Sequence, residues 1–135
     1  RWFHSTGIVT AVGEHTATEV LAALKAAKKN GATTSFDLNY RHTLWSKEAA
    51  QAAMVELMPY IDVIIGNEED FETMLGIKAD NTDENYSKID PMCYKKVAEK
   101  VMEKYPNVQV VGNSLREVTS ACLNNWQATS SPASI

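Results

Sequence analysis

An α/β fold built on a parallel sheet is what this sequence predicts, and three observations predict it. Short β-prone runs recur at residues 2–8, 33–37, 62–66 and 108–112. Amphipathic stretches with apolar residues three and four apart lie between them, the period of a helix that buries one side. Polar residues gather just past three of the runs: Asp37, Asn39 and Arg41, then Asn67, Glu68 and Asp70, then Asn113, Ser114 and Arg116. Strands that alternate with helices mean parallel pairing with helical cover. In such sheets ligands bind outside the carboxyl ends of the strands.

Each element has its own signal. Trp2 to Ile8 reads as a short strand followed by a loop. A helix is predicted from Thr16 to Asn30, with Thr16 and Glu19 as a capping box and Val20, Ala23, Leu24 and Ala27 as its buried stripe; Asn30-Gly31 stops it. Thr33 to Asp37 is the second strand, and a polar loop follows to Trp45. Ser46 caps the next helix, whose stripe is Ala50, Ala53, Met54 and Leu57, and Pro59 marks its end. Asp62 to Gly66 is the third strand, and Val63-Ile64-Ile65 is typical of a strand buried on both faces.

Asn67 to Leu75 is a short helix closed by Gly76. Lys78 to Lys88 is polar, acidic and without period, so it reads as a surface loop. A further helix starts at Asp90-Pro91, with Tyr94, Val97, Ala98, Val101, Met102 and Tyr105 as its stripe. Val108 to Gly112 is the fourth strand, and Ser120 to Ala128 suggests a hairpin around Asn124-Asn125.

The chain has 135 residues, enough for one domain with a core, and a formal net charge of −4. That charge argues against nucleic acid, which selects clustered basic surfaces. No segment approaches the apolar length of a membrane-spanning helix, and no membrane partner is expected. Lys25, Lys28 and Lys29 fall at a predicted helix end, where they complement the helix dipole. Cys93 and Cys122 form no paired-cysteine metal spacing, and with no signal peptide in view the expected compartment is the reducing cytosol. His4, His15 and His42 show no ligand spacing, so no zinc site is expected. The chain opens on Arg1-Trp2-Phe3, already inside a strand, and closes on a polar stretch, so a piece of a longer protein is expected. Residues 1–128 read as one unit and 129–135 as a flexible tail.

An arginine presents a planar fork of donors that suits a carboxylate or a phosphate. Carboxylates beside it suit magnesium, directly or through water. Together they suggest phosphoryl transfer, which is mostly positioning and charge neutralisation. The same residues also fit plainer roles. Asn67 followed by Glu68, Glu69 and Asp70 is an ordinary helix start, and Asp37 with Arg41 is a plausible structural ion pair. The dinucleotide fingerprint, the Walker phosphate loop and the nucleophile elbow are all missing.

Phe36-Asp37-Leu38-Asn39-Tyr40-Arg41, Leu44-Trp45, Ile64-Ile65-Gly66-Asn67-Glu68-Glu69-Asp70 and Leu75-Gly76-Ile77, in this order and spacing, resemble the middle of the PfkB (ribokinase-like) sugar kinases. Ser114-Leu115-Arg116-Glu117 and Asn124-Asn125-Trp126-Gln127-Ala128 extend the likeness toward the 2-keto-3-deoxygluconate kinases of that family. The resemblance implies a partial ribokinase-like α/β core, and a parent protein that phosphorylates a sugar acid, 2-keto-3-deoxygluconate on its 6-hydroxyl, with ATP and Mg2+. Fructokinase or ribokinase activity is the alternative within the family; a truncated nucleotide-binding or structural module is the alternative outside it.

It also implies residue roles. Arg41, Asn39 and Tyr40 would bind the sugar acid, and Asn67, Asp70, Ser114 and Arg116 the ATP, with Asp70 standing where the family usually has glutamate. The family's N-terminal lid and its later Gly-Ala-Gly-Asp segment have no counterpart, so no catalytic base is assigned and the isolated chain is expected to be inactive. Apolar surface left bare by the missing strands would drive self-association into a homo-oligomer.

Overall fold

The computed structural model of the protein describes residues 1–13, 15–77, 91–118 and 124–132. Five strands form one sheet in sequence order, β1 (Trp2–Thr6), β2 (Thr33–Asp37), β3 (Val63–Gly66), β4 (Val110–Val118) and β5 (Asn124–Pro132). The first four run parallel, and β5 pairs antiparallel with β4. The helices are α1 (Gly7–Ala11), α2 (Thr16–Lys29), α3 (Lys47–Leu57), α4 (Glu68–Leu75) and α5 (Pro91–Lys104), with a 3-10 turn at Met58–Tyr60. The expected α/β core with a parallel sheet is present.

Every parallel connection steps to the next strand in the same direction. Right-handed crossovers then place all connecting helices on one side of the sheet. The burial follows: Phe36, Ile64 and Val111 are fully buried, in one core with Val20 and Leu24 of α2, Met54 and Leu57 of α3, Phe71 and Met74 of α4, and Val97 and Val101 of α5. The alternate residues Val63, Ile65 and Val110 are only half-buried. The Val63-Ile64-Ile65 run therefore does not lie in a strand buried on both faces, and the helical cover lies on one face only among the described residues. A continuous apolar run cannot say whether both faces are covered within the same chain.

Several boundaries differ from the sequence reading. The expected loop after β1 is α1, capped by Thr6, whose hydroxyl accepts from Val9 N at 3.2 Å. Ile8, Val9 and Thr10 are β-branched and poor helix formers, which hid it. Gly7 opens this helix against the backbone of Leu38, where a Cβ would stand 1.9 Å from the carbonyl oxygen. Only glycine fits there. The Thr16–Glu19 capping box does not form, because Thr16 lies inside the helix and its hydroxyl donates to Gly13 O. Ser46 caps α3 as expected.

Strand β4 starts two residues later than predicted and continues to Val118, so the hairpin is formed by β4 and β5 rather than centred on Asn124-Asn125. Residues 129–132, expected as tail, pair with Asn113 to Val110 as the outer strand. Pro132 is tolerated there because an edge position needs no N–H. The predicted loop 78–88 and the helix start at Asp90 lie outside the described residues.

Lys28 does more than complement a helix dipole. Its ammonium contacts both oxygens of the buried Asp62 carboxylate at 2.6 and 2.7 Å, tying the end of α2 to the start of β3. Lys25 sits 5.5 Å from the centre of the Tyr60 ring.

The open sheet face carries a prediction. With Val63, Ile65 and Val110 half-exposed and Trp2 64% exposed, an apolar dye should fluoresce on the native chain, and Ile65→Thr should weaken that signal while leaving the circular dichroism unchanged. No native-state signal would mean that this face is covered.

Candidate functional site

The register brings the strand ends together. Asp37 pairs with Ile65, Ile65 with Gly112, and Gly66 with Asn113, so the chain leaves β2 and β3 at one rim. The β2–β3 pairing continues one step into the loop, where Leu38 N donates to Ile65 O at 2.8 Å. Asn39 then turns the chain with φ of +38°, a left-handed value that asparagine tolerates better than most residues. Such backbone is costly and clusters at ligand sites.

Tyr40 is anchored twice. Its amide donates to Asp70 Oδ1 at 3.0 Å, and its hydroxyl donates to Trp45 O at 3.2 Å. Arg41 is exposed and donates from Nη1 to Tyr40 O at 3.0 Å. That bond occupies one of its five donors and leaves the rest of the fork to solvent or an anion. Arg41 exerts a lowering influence on the Asp37 pKa, outweighed there by burial and Asp70, and its guanidinium bonds Tyr40 O instead of forming the expected ion pair with Asp37.

Across the rim, Asn67 caps α4 and accepts from Asp70 N at 2.8 Å, while Asp70 Oδ2 accepts from Asn67 N at 3.0 Å. This is a complete capping box with aspartate in the glutamate place. The ordinary helix-start reading of 67–70 is therefore real, and it coexists with a place at the rim. Gly66 leaves room for this packing: a Cβ there would come within 3.0 Å of Leu38 Cδ1 and 3.2 Å of Asp70 Cβ.

Ser114 and Arg116, expected in a loop beyond the fourth strand, lie within β4, opposite Ala128 and Trp126. They follow Asn113, the residue paired with Gly66, so the hairpin projects past the rim. Asn113 is the residue that sequence reasoning left without a role. It is 2% exposed, and neither its Oδ1 nor its Nδ2 has a hydrogen-bond partner. A buried amide with nothing to bond costs about 1–3 kcal/mol, which marks the position as kept for something other than stability. Its one signal in the sequence was a polar amide directly after the β-prone run Val108 to Gly112.

The rim holds its charges unevenly. Burial raises the pKa of Asp37 above its ordinary 3.8, and the neighbouring Asp70 charge raises it further, against lowering by His4, Arg41 and the Asn39 amide. No group of three or more acidic, histidine or cysteine side chains that would hold a metal occurs among the described residues. Each Asp70 oxygen already accepts one backbone N–H, so the carboxylate is engaged by the protein's own backbone.

Residues 3–104 match the pfkB family carbohydrate kinase pattern. The crystal structure of 2-dehydro-3-deoxygluconokinase from Thermotoga maritima superposes with a TM-score of 0.86 at 42% identity, covering 98% of this chain and 38% of that one. A PfkB family carbohydrate kinase from Listeria grayi gives 0.80 at 30% identity, covering 98% and 37%. The 2-dehydro-3-deoxygalactonokinase of Haloferax volcanii is 37% identical over 78 residues, 58% of this chain and 24% of that protein. The chain thus spans about a quarter to two fifths of the length of these relatives.

Asp37 yields a pH prediction. The folded chain holds the Asp37 proton more tightly than the unfolded chain, so its ionisation favours unfolding. Its contribution is fully present below pH 3.8 and is lost as pH rises through the raised folded value. Asp37→Asn should therefore be more stable than the parent at pH 7, by less than about 1 kcal/mol because the group is partly solvated. The difference should vanish on acidification below 3.8, as read by urea unfolding across pH.

Proposed function

Since this chain belongs to the pfkB family of carbohydrate kinases, we propose that the polypeptide containing it transfers a phosphoryl group from ATP to a hydroxyl of a small sugar acid, 2-keto-3-deoxygluconate giving its 6-phosphate. The observation that carries this reading is the 42% identity, spread over 98% of the chain, to a 2-dehydro-3-deoxygluconokinase. The exposed guanidinium of Arg41 at the rim supports it, because an anionic substrate gives that fork something to bind.

The roles divide across the rim. Asn39, Tyr40 and Arg41 form the sugar-acid side, with Arg41 on the carboxylate or on the transferred phosphate. Asn67, Asp70, Ser114 and Arg116 form the ATP side, where the α4 N-terminus favours negative charge. Mg2+ fits this arrangement as a companion of the nucleotide phosphates and water. Phosphoryl transfer asks the protein chiefly for positioning and charge neutralisation, and these residue types supply both. The proton of the attacking hydroxyl needs an acceptor, and none of these residues is assigned that task. The isolated 135-residue chain is therefore expected to bind without turnover. The reducing cytosol is the compartment that fits such a substrate pair.

A coupled assay of ADP formation tests this on the parent polypeptide. It should turn over 2-keto-3-deoxygluconate or 2-keto-3-deoxygalactonate with MgATP, while the isolated chain shows none. Arg41→Ala should lower kcat/KM for the acid on the order of 100-fold, the effect of losing a charge-assisted pair. A preference for fructose or ribose, with Arg41→Ala indifferent, would replace the sugar acid with a neutral sugar.

A further inference from the structure

Asp70 is bonded to more than its own helix. Oδ2 closes the capping box on Asn67 N, but Oδ1 leaves the helix and accepts from the amide of Tyr40, thirty residues earlier in the chain. Asp70 is 6% exposed, so water has little access to it. The residue before Tyr40 is Asn39, whose φ of +38° is unfavourable without outside support. The bond from Tyr40 is placed where it holds that turn. Gly66 brings Leu38, Asp70 and the end of β3 into contact at the same point.

We infer that Asp70 is a positioning residue that locks the loop carrying Asn39, Tyr40 and Arg41 to the N-terminus of α4, so that the two sides of the rim respond to ligand as one unit. The inference rests on the division of the rim proposed above. In this role Asp70 acts through the backbone amides of Tyr40 and Asn67, beside its place on the nucleotide side of the rim. A carboxamide cannot replace it, since one of its two groups is a donor that would face an N–H. A longer carboxylate keeps the charge but moves both oxygens by a methylene.

The test uses the labelled 135-residue chain in solution. In the parent, a scalar coupling across the hydrogen bond between Tyr40 N and Asp70 Cγ should be detectable; its absence overturns the clamp regardless of any variant. In Asp70→Asn, exchange of the Tyr40 amide should quicken on the order of tenfold or more, as expected for losing a charge-assisted bond. The Leu38 amide, bonded to Ile65 O, should keep its rate. Asp70→Glu should fall between the two. Unchanged Tyr40 exchange in Asp70→Asn overturns the clamp.

MgADP then serves as the probe of communication. In the parent it should shift the amides of Asn67, Tyr40 and Arg41 with one midpoint, and in Asp70→Asn only that of Asn67. Equal shifts at Tyr40 and Arg41 in both proteins overturn the coupling. No shift in either protein counts against the nucleotide side of the rim, while the clamp is still decided by scalar coupling and exchange.

Discussion

The buried carboxylate of Asp62 fastens the sheet at the end opposite the rim. Oδ2 accepts from Thr34 N at 3.0 Å, and both oxygens accept from Lys28. The backbone of the same residue donates to Thr34 O and accepts from Gln109 N and Val110 N. One residue thus joins α2, β2, β3 and the approach to β4. Burying such a charge is tolerable only when it is paired and its remaining lone pairs are filled, and here they are. Parallel strands have no tight turn to set their register, so it must come from side-chain pattern and fixed points such as this one. With the register set below, Asp37, Gly66 and Asn113 arrive above at one level.

What gathers at that level is costly. Asn39 holds a left-handed backbone, Asn113 buries an amide without partners, and Asp37 and Asp70 set two acids near each other in partly dry surroundings. Elsewhere among the described residues the same chain is orderly, with a capped α3, a continuous core and a satisfied buried charge. Local rules broken together at one edge, against agreement in the remainder, single that edge out as the candidate site. The acid that repels Asp37 is also the one that anchors Tyr40, so charge and geometry at the rim depend on each other.

The periodic elements were legible in the sequence because each carries a local signature. The stripe Ala50, Met54, Leu57, the cap Ser46 and the stop at Gly76 all act within a few residues of where they appear. What was hidden depends on contacts distant in sequence. Helix α1 forms from β-branched residues because its start is wedged against Leu38, and the length of β4 depends on its antiparallel partner. The residues of the candidate site were found through their types and order, and Asn39, Tyr40, Asn67 and Asp70 do meet at the rim. The bond between Tyr40 and Asp70 was not readable, because no spacing rule links a loop amide to a helix acid thirty positions away. Nor was the lack of helical cover on the second sheet face among the described residues, since Val63-Ile64-Ile65 reads alike with or without it.

The central claim is that the polar rim, and not another concavity, receives the anionic sugar. Mapping amide shifts of the labelled chain during titration with 2-keto-3-deoxygluconate tests it most directly. The account predicts shifts at Asn39, Tyr40 and Arg41 that Arg41→Ala abolishes. Shifts centred instead on the small hollow lined by Gln51, Met54, Met74 and Tyr105, or none anywhere, would contradict it.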